Sequence, residues 1–411
     1  MKIKKQCTRI GYILAFEDLA STIVQSQVVD ILGEVTALGE QRIYLISFQP
    51  VARCFLRAAR LAAAMRALKQ QNLRALIIPF ISIPGLRRFS LSAVAYVQLV
   101  AQMTIWLFIC SFVLRLKILH CRSYVVALPA ILLKKVLRST VIFDARSPFP
   151  EENVVNGKLK KNSALFRMWK HLERLFLQRS DQVVVTSAPF KNHFLDIYAG
   201  AGVTVIHNNV DTRKFSFSQV KRDELRAFYG IGAQDVVFGY CGSFGVHINH
   251  PQPYIDFIRY VQQLNRRAYF LFVTPQRELF SAELRRQGLD LRTVLTVDAQ
   301  PSAVPGYLSM CDFGMNLLLV PDVRLSIKTC EYLAVGRPLL VNANALGALY
   351  FVRTEAVGLV FAPEKNIFWE DVDRVMRDYP AVSAKAARVV EDYFSNQRVA
   401  QAYARLYRQA S

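Results

Sequence analysis

Short apolar segments with the character of β-strands alternate with helical segments along the whole chain, and this alternation constrains the fold more than any other feature. Strands that alternate with helices pair in parallel, in a sheet that helices cover on both faces. The helical segments carry apolar residues on one face, as residues 21–38 do. In the first half, the strand candidates are residues 9–16, 42–48, 74–80, 117–122, 140–144, 182–186 and 203–207.

The alternation of strands and helices is interrupted at residues 207–215, "HNNVDTRKF", and a second series of strands begins after them. A chain of 411 residues is longer than one hydrophobic core usually supports, so two domains are expected. The strand candidates of the second series lie within residues 235–245, 267–275, 292–298, 311–320, 337–343 and 357–363.

We therefore predict an α/β protein of two Rossmann-like domains, whose parallel sheets face each other across a cleft. The first domain spans residues 1–208 and the second spans residues 209–389. We expect the C-terminal helix within residues 390–411 to pack back on the first domain. This helix carries apolar and aromatic residues at core spacing, namely Val399, Tyr403, Leu406 and Tyr407.

The composition excludes several classes of protein. With 53% hydrophobic and 20% charged residues, the chain is globular and not disordered. Its seven cysteines are scattered and form no C-x-x-C pair, which argues against a disulfide framework or a zinc site and favours a reducing compartment. We interpret the apolar run in residues 1–20 as a first strand and not as a signal peptide, because it ends at Glu17 and Asp18 without a small-residue cleavage site.

The net charge of +21 is concentrated in the first half of the chain. Residues 41–143 contain fifteen Lys or Arg residues and not one Asp or Glu. A surface of one sign and this size predicts an anionic partner, either a membrane or a nucleic acid. Nucleic acid is the weaker alternative, because no RNA- or DNA-binding motif accompanies the charge and the aromatic residues lie inside apolar runs.

Two segments favour the membrane. Residues 51–74 resemble an interfacial amphipathic helix, with Arg53, Arg57 and Arg60 among apolar residues. Residues 89–114 carry no charge over a length that could span a bilayer. We expect them to form a buried or half-immersed helix instead, because the alternation of strands and helices requires a covering helix at this point.

The sequence lacks the common phosphate-binding loops of nucleotide cofactors. A dinucleotide site would show G-x-G-x-x-G after the first strand, but residues 17–27 contain no glycine. The glycines of "GYCGSFG", residues 239–245, have the wrong spacing, and no Walker A motif is present. A dinucleotide-dependent oxidoreductase is therefore disfavoured.

"SIKTCEYLAVGRPLL", residues 326–340, places Lys328 and Glu331 one turn apart in a short helix that ends at Gly336. The free N–H groups at a helix start favour phosphate, and a lysine there suits a diphosphate. A carboxylate one turn further on can accept hydrogen bonds from both hydroxyls of a ribose. The pair therefore predicts a nucleotide diphosphate site; the alternative is a local salt bridge.

This helix resembles the nucleotide-sugar helix of GT-B glycosyltransferases of family 4. Residues 205–215 are similar to that family's segment at the domain junction, and residues 237–244, "VFGYCGSF", to its strand and glycine loop near the donor phosphates. Residues 120–124 and 141–152 resemble the acceptor side of a bacterial subgroup that modifies surface polysaccharides. The resemblance implies the GT-B fold and a retaining transfer of a sugar from a nucleotide-diphosphate sugar to an acceptor hydroxyl, with no metal and no cofactor.

The resemblance also implies roles for single residues on the donor side. Lys328 would neutralise the leaving diphosphate, and Glu331 would hold the ribose. The chain departs from the family at two places: Val323, next to Asp322, stands where many members have a further glutamate, and Phe244, Val246 and His247 stand where many members have cations. Arg324 is a candidate for the missing diphosphate cation. The predicted donor-binding residues are Gly242, Ser243, Arg324, Ser326, Lys328 and Glu331.

On the acceptor side, polar residues end two neighbouring strands. His120 and Arg122 alternate onto one face of the first, and Asp144 and Arg146 end the second. Glu151 and Glu152 follow in the next loop, where the alternative role is that of acids in the first turn of a helix. We predict His120, Arg122, Glu151 and Glu152 as acceptor-side residues and Lys328, Arg122, Asp144 and Arg146 as catalytic residues, whereas His207 packs at the junction.

The sequence thus predicts a glycosyltransferase that acts on a glycan or lipid-linked acceptor in the synthesis of a cell-surface polysaccharide such as lipopolysaccharide or capsule. We expect its basic half to bind the anionic cytoplasmic face of the inner membrane peripherally, and we expect no nucleic-acid partner. Two alternatives remain: a basic nucleic-acid-binding protein, and a GT-B enzyme of another type, such as a nucleotide-sugar epimerase or a phosphorylase.

Overall fold

The computed structural model describes residues 8–39, 41–71, 73–81, 93–245, 249–264, 266–363 and 368–411. The chain forms two compact units. The first unit comprises Met1–His207 together with Asn396–Ser411, and the second comprises Asn208–Ser395. The chain therefore leaves the first unit after His207 and returns to it for its last helix.

The first unit contains a seven-stranded parallel sheet whose strands lie in the order β3-β2-β1-β4-β5-β6-β7. Every strand predicted for this half is present, with bounds that differ by two residues at most. The order reverses between β1 and β4, which is the position where ligands bind in doubly wound sheets. The strands are β1 Thr8–Ala15, β2 Gln41–Pro50, β3 Arg74–Phe80, β4 Ile118–Arg122, β5 Thr140–Asp144, β6 Gln182–Val185 and β7 Val203–Val205.

Helices cover both faces of this sheet. A π-helical turn, Gln25–Val29, joins α1 to α2 without a break. The helices of the first unit are α1 Thr22–Val24, α2 Asp30–Ala37, α3 Val51–Leu56, α4 Ala58–Gln70, α5 Ala93–Leu114, α6 Tyr124–Leu137, α7 Phe149–Val155, α8 Ala164–Arg179, α9 Ala188–Ile197 and the C-terminal α18 Asn396–Gln409.

The single helix predicted over residues 51–74 is wrong in its bounds. The chain forms α3 and α4 instead, separated at Arg57, whose φ of −125° and ψ of 24° are not helical. Arg74 already belongs to β3. Arg57 pairs with Asp18 beyond the end of β1, and this contact accompanies the break that the alanine-rich sequence alone did not indicate.

Helix α5 lies within the predicted segment 89–114, whose first residues are outside the described part of the chain, as are Arg87 and Arg88. By length and composition it could cross a membrane, with a mean hydropathy of 2.0. One face packs into the first unit, but only 28% of its most apolar window is buried. The other faces are equally apolar and expose Val94, Val97, Ile105, Trp106, Phe108, Ile109, Phe112 and Val113.

Helix α18 completes the core of the first unit. The four residues predicted at core spacing, Val399, Tyr403, Leu406 and Tyr407, are all at most 5% exposed. They pack in one cluster with residues of α2 and β1. The hydrophobic core between α2 and the first sheet is therefore complete only when α18 is in place.

The second unit contains a six-stranded parallel sheet in the order β10-β9-β8-β11-β12-β13, which again reverses, here between β8 and β11. All six predicted strands are present. They are β8 Val236–Cys241, β9 Ala268–Val273, β10 Val294–Val297, β11 Phe313–Asn316, β12 Leu339–Val341 and β13 Gly358–Val360.

The helices of the second unit pack around an aromatic-rich core on one face of this sheet and an aliphatic core on the other. They are α10 Gln219–Phe228, α11 Gln252–Gln263, α12 Arg277–Arg286, α13 Val304–Met310, α14 Ile327–Ala334, α15 Leu346–Thr354, α16 Phe368–Arg377 and α17 Tyr379–Val389, followed by a π-helical turn at Val390–Phe394.

Candidate active site

Helix α14 follows β11, one of the two strands at the reversal point of the second sheet. Ser326 precedes the helix in an extended conformation, and its side chain makes no capping hydrogen bond. The helix ends as predicted, with Gly336 just beyond it at a φ of +69°, which glycine adopts without strain. The amide of Asn208 donates to the carbonyl oxygen of Leu325 at 2.5 Å and so fixes the start of the helix.

The Lys328 side chain does not pair with Glu331. Its ammonium group donates to the Tyr240 hydroxyl at 3.0 Å and lies 4.5 Å from the centre of that ring. Within the described part of the chain, no group donates a hydrogen bond to the Glu331 carboxylate. The local salt bridge that was the alternative interpretation is therefore absent here, and the carboxylate keeps its hydrogen-bonding capacity for a ligand.

Burial shifts the pKa of both groups towards the neutral form. It lowers the pKa of Lys328 to about 8, although the Cys241 thiol and the Glu331 carboxylate favour the charged ammonium. It raises the pKa of Glu331 to about 7, against the attraction of Lys328. An anion beside the lysine and hydroxyl donors on the carboxylate would stabilise the charged forms of both. Lys328 and Glu331 are therefore suited to a ligand that carries both an anionic group and hydroxyl groups.

Gly242 follows β8 directly and lies opposite Lys328, with a φ of +142°, in a region that other residues rarely adopt. A Cβ atom at this position would collide with the end of the Lys328 side chain. The N–H group of Gly242 donates to the Val273 carbonyl oxygen at 2.9 Å. The N–H group of Ser243 has no partner among the described residues, so of these two it is the one open to a phosphate.

The cations that the family resemblance would place in this loop are replaced by an aromatic cluster. Phe244 stacks on Tyr240, with ring centres 4.8 Å apart, and also packs on Phe280. Val246 and His247 lie outside the described residues. Arg324, the proposed substitute, donates to the Asp322 carboxylate through Nε at 2.9 and 3.0 Å and through Nη2 at 2.8 Å. It must leave this partner or share it to reach a diphosphate.

At the reversal point of the first sheet, β1 and β4 are each followed directly by a non-glycine residue with positive φ, Phe16 at 64° and Ser123 at 81°. Such backbone strain concentrates at functional sites. Between these two ends, the Nε atom of Arg122 donates to both carboxylate oxygens of Glu17, at 2.9 and 3.1 Å, and Nη2 donates to Gln27 at 2.9 Å. Its Nη1 atom is buried and has no partner among the described residues.

His120 and Asp144 are fully buried behind this position. His120 Nε2 lies 3.2 Å from Asp144 Oδ2, and His120 Nδ1 lies 2.9 Å from the Tyr407 hydroxyl. Burial lowers the pKa of His120, so the ring is neutral and Nε2 carries the proton that the carboxylate accepts. Neither residue has surface with which to touch an acceptor directly, and both act on neighbouring groups.

Asp144 is a buried anion with three polar partners. Besides His120, it accepts from the Tyr403 hydroxyl at 3.3 Å and from Arg146 Nη1 at 3.4 Å. Burial raises the pKa of this carboxyl, but Arg146, His120 and Arg122 together hold it below its usual value. Asp144 therefore stays ionised and positions Arg146, which is partly exposed.

Glu151 and Glu152 lie in the first turn of α7, as their alternative role predicted. Glu151 also accepts from Lys170 at 2.8 Å. Lys170 binds Glu173 as well, and Glu173 accepts from the Tyr124 hydroxyl at 2.5 Å. Glu151 thus belongs to a structural network. His207, which was expected to pack at the junction, is the last residue before the chain enters the second unit, and its Nδ1 lies 2.9 Å from the Thr186 carbonyl oxygen of the first unit.

Sequence reasoning missed residues that complete both sites. Glu17 and Gln27 bind Arg122, Tyr403 and Tyr407 bind Asp144 and His120, and Tyr240 binds Lys328. The acids directly after β1 were a usable signal, because strand ends at the reversal point meet. Among the residues that the structure describes, no three His, Cys, Asp or Glu side chains gather in a way that could hold a metal ion.

Comparison with solved structures identifies the fold. The chain aligns with a glycosyltransferase from Rickettsia africae at 13% identity and a TM-score of 0.69, covering 98% of both chains. It aligns with sucrose-phosphate synthase from Thermosynechococcus elongatus at 16% identity and a TM-score of 0.66, also over 98% of both. HepE from Anabaena, solved with UDP and glucose, aligns at 14% identity and a TM-score of 0.63 over 98% of this chain and 99% of its own. The fold is that of the GT-B glycosyltransferases.

Residues 53–214 match the sequence model of Glycosyltransferase Family 4. The chain is thus a GT-B glycosyltransferase that resembles family 4, as the motifs predicted. The match covers the acceptor-side half and ends before α14, so Lys328 and Glu331 rest on their own geometry. None of the curated protein sequences matches the chain.

Proposed function

We propose that this glycosyltransferase moves a sugar from a nucleotide-diphosphate sugar to a hydroxyl of a glycan or lipid-linked acceptor, in the synthesis of a cell-surface polysaccharide. One observation carries the donor assignment: Lys328 and Glu331 lie on α14 with their charged forms disfavoured and no ion pair between them. A nucleotide diphosphate supplies the anion for one and the ribose hydroxyls for the other.

The chemistry of the donor step follows from these groups. As the bond between sugar and phosphate breaks, negative charge grows on the diphosphate, and the Lys328 ammonium and the Ser243 N–H stabilise it. Such preorganised groups contribute about 3 kcal/mol each to lowering a barrier. The proposed donor-side residues are thus Lys328, Glu331, Gly242 and Ser243, with Ser326 and Arg324 at the edge of the helix. The proposal needs no metal ion or cofactor, because lysine and helix N–H groups provide positive charge.

On the acceptor side, Arg122 and Arg146 are the proposed contacts: Arg122 ends β4 at the reversal point, and Arg146 follows the neighbouring strand β5 and is partly exposed. Asp144, which His120 contacts, positions Arg146, whereas Glu17 and Gln27 hold Arg122. Glu152 remains a candidate for a contact with the acceptor. We propose that the anomeric configuration is retained and that the departing phosphate accepts the proton of the attacking hydroxyl.

The test is calorimetric titration with UDP, GDP and ADP, followed by assay with the matching nucleotide sugars. UDP is the first choice, because the HepE structure holds UDP. Lys328→Ala should abolish transfer while the fold persists. Wild-type turnover in this variant, with a confirmed donor, would remove the assignment. Binding of single-stranded RNA without any nucleotide would favour the nucleic-acid alternative, and reaction of a nucleotide sugar without an acceptor would favour the epimerase.

We also propose peripheral attachment to the cytoplasmic face of the inner membrane through α3 and α4. Phe55 and Leu56, at 79% and 86% exposed, lie beside the exposed cations of α4. Arg53 and Arg57 are unsuitable for a test, because Arg53 donates to the Phe16 carbonyl oxygen at 2.5 Å and Arg57 pairs with Asp18. The better variant reverses the exposed charges of α4, namely Arg60, Arg66 and Lys69.

Each cation near an anionic leaflet adds about 1 kcal/mol of attraction, so the triple variant Arg60→Glu/Arg66→Glu/Lys69→Glu should move to the soluble fraction. High salt should have the same effect on the wild-type protein. Retention in membranes through both treatments would instead indicate that α5 is inserted.

A further inference from the structure

At the amino-terminal edge of the first sheet, opposite the edge that carries Arg122, the structure contains an open pocket of about 1190 Å³. The starts of β1 and β2, the end of α5 with the turn into β4, and the end of α6 enclose it. Neither the donor site nor the acceptor side uses it. Its lining residues are Thr8, Arg9, Arg42, Phe108, Ser111, Phe112, Val113, Arg115, Leu116, Lys117, Val136 and Leu137.

Four of these residues are cations, and none is a carboxylate. Arg9 and Arg42 are direct partners in the pairing of β1 with β2, and the N–H group of Lys117 donates to the Arg9 carbonyl oxygen at 2.8 Å. Three cations therefore lie side by side at the starts of three adjacent strands, with Lys117 directly before β4, and Arg115 adds a fourth. Like charges directly opposite in a sheet destabilise it, so the row costs stability when nothing binds there. Within the described part of the chain, none of the four forms an ion pair.

The opposite wall of the pocket is apolar. Phe108, Phe112, Val113 and Val136 are 41%, 73%, 68% and 69% exposed, and the first three continue the exposed apolar face of α5. Between the two walls, the Ser111 hydroxyl is buried and has no partner among the described residues. Arg9 Nη1 already donates to the Leu114 carbonyl oxygen at 3.0 Å, which offsets the negative end of α5.

We propose that this pocket binds the phosphate headgroup of an anionic phospholipid while the apolar face of α5 lies against the acyl chains. A row of cations fits phosphate, and phenylalanine and valine side chains directly beside it fit the first methylene groups of a lipid. An apolar face that continues beyond the pocket along α5 indicates an extended hydrocarbon layer and not a small soluble anion. This contact is separate from that of α4 and does not depend on sugar transfer.

The test compares the binding of full-length variants to vesicles of phosphatidylcholine with and without phosphatidylglycerol. Arg115→Glu/Lys117→Glu should weaken binding to the anionic vesicles roughly tenfold or more, because two headgroup cations are lost. The matched control is Lys160→Glu/Lys161→Glu, which reverses two exposed cations of the same unit outside the pocket. The control should bind as the wild type does.

A second variant tests the apolar wall. Phe112→Ser/Val113→Ser keeps every charge and changes two exposed residues, so it should fold normally and still lose affinity for the anionic vesicles. In the wild type, the fluorescence of Trp106, which is 44% exposed on α5, should shift to shorter wavelength on binding. Inorganic phosphate should compete poorly, since it lacks the acyl chains.

Three results would overturn the proposal. Equal weakening in the pocket variant and the lysine control would mean adsorption by net charge alone. Normal vesicle binding by both pocket variants would mean that the pocket is not used. Efficient competition by inorganic phosphate would mean a site for a free anion. The α4 variant separates this proposal from the first membrane contact, because it leaves the pocket intact. The circular dichroism spectrum and the melting temperature of each variant confirm that the first unit is folded.

Discussion

The hydroxyl of Tyr407 lies 2.9 Å from Nδ1 of His120, although 287 residues separate them in the chain. Nε2 of this histidine faces Asp144, which accepts its proton, so Nδ1 accepts the tyrosine proton. The C-terminal helix therefore fixes the tautomer of a buried ring at the end of β4, two residues before Arg122. Through this contact, the C-terminal helix positions the residues of the first unit that we propose as its acceptor side.

We predict that Tyr407→Phe destabilises the first unit by about 1–3 kcal/mol, because it leaves Nδ1 buried without a donor. Urea unfolding measures the loss, and the nitrogen chemical shifts of His120 report the tautomer. Tyr198→Phe is the control, since the Tyr198 hydroxyl has no hydrogen bond among the described residues. Equal stability of the two variants would contradict the assigned tautomer.

Gly242→Ala should weaken nucleotide binding more than it weakens the fold. The added methyl group displaces the flexible end of Lys328, and the backbone there becomes strained by about 1–3 kcal/mol. The expected result is loss of UDP affinity in calorimetry with a modest decrease in melting temperature. Gly245→Ala is the control, because a Cβ at Gly245 meets open space. The assignment of the loop fails if Gly242→Ala binds UDP as tightly as this control does.

The affinity for the nucleotide should have a maximum between about pH 7 and pH 8. Below the Glu331 pKa of about 7, the carboxyl is protonated and accepts ribose hydrogen bonds poorly. Above the Lys328 pKa of about 8, the free protein loses the cation that a diphosphate needs. Glu331→Gln should remove the acid limb of the profile, and calorimetry in buffers of different ionisation enthalpy should detect proton uptake on the basic limb. A flat profile from pH 6 to pH 9 would exclude both roles.

Removing both charges should stabilise the second unit. The raised pKa of Glu331 contributes stability below the unfolded value of 4.5, and this contribution is lost as the pH rises through about 7. The lowered pKa of Lys328 means that the charged ammonium disfavours folding below about pH 8. At pH 7.5, the double variant Lys328→Met/Glu331→Gln should therefore melt about 2–4 °C higher than the wild type, while UDP no longer raises its melting temperature. The double change is needed, because a single change leaves one charge unpaired. A lower melting temperature would mean that the pair is structural.

The transfer should proceed with retention, and neither Glu151→Gln nor Glu152→Gln should abolish it. An inverting enzyme needs a base within about 3 Å of the attacking hydroxyl. Glu151 is bound by Lys170, and Asp144 is fully buried, so neither can serve freely as that base. The anomeric proton of the product, observed by NMR, decides the outcome. An inverted product together with loss of activity in either glutamine variant would contradict the proposal.

The strands and helix α14 were predictable because their signals are local. Strands such as β3 and β5 are apolar runs bounded by turns or charges, and α14 carries its charges and its terminating glycine within twelve residues. The partners of these charges were not predictable. Lys328 binds Tyr240, 88 residues away, and not Glu331 one turn away, because burial beside an aromatic ring decides the contact. The break between α3 and α4 at Arg57 was not predictable for the same reason. The segment around Arg57 is rich in alanine, and the partner of Arg57, Asp18, is distant in the sequence.

The place of α18 in the fold has a consequence for how the protein folds during its synthesis on the ribosome. Asn208–Ser395 emerge as a continuous piece and can fold as soon as they are made, whereas the first unit waits for Asn396–Ser411. At a synthesis rate of about 5–20 residues per second, the face of the first sheet that α18 helps to cover stays partly exposed for roughly ten to forty seconds. A stop codon just before α18 would therefore leave the second unit able to fold and the core of the first unit incomplete. During synthesis, the exposed apolar surface that chaperones can bind lies in the first unit, near the amino terminus of the chain.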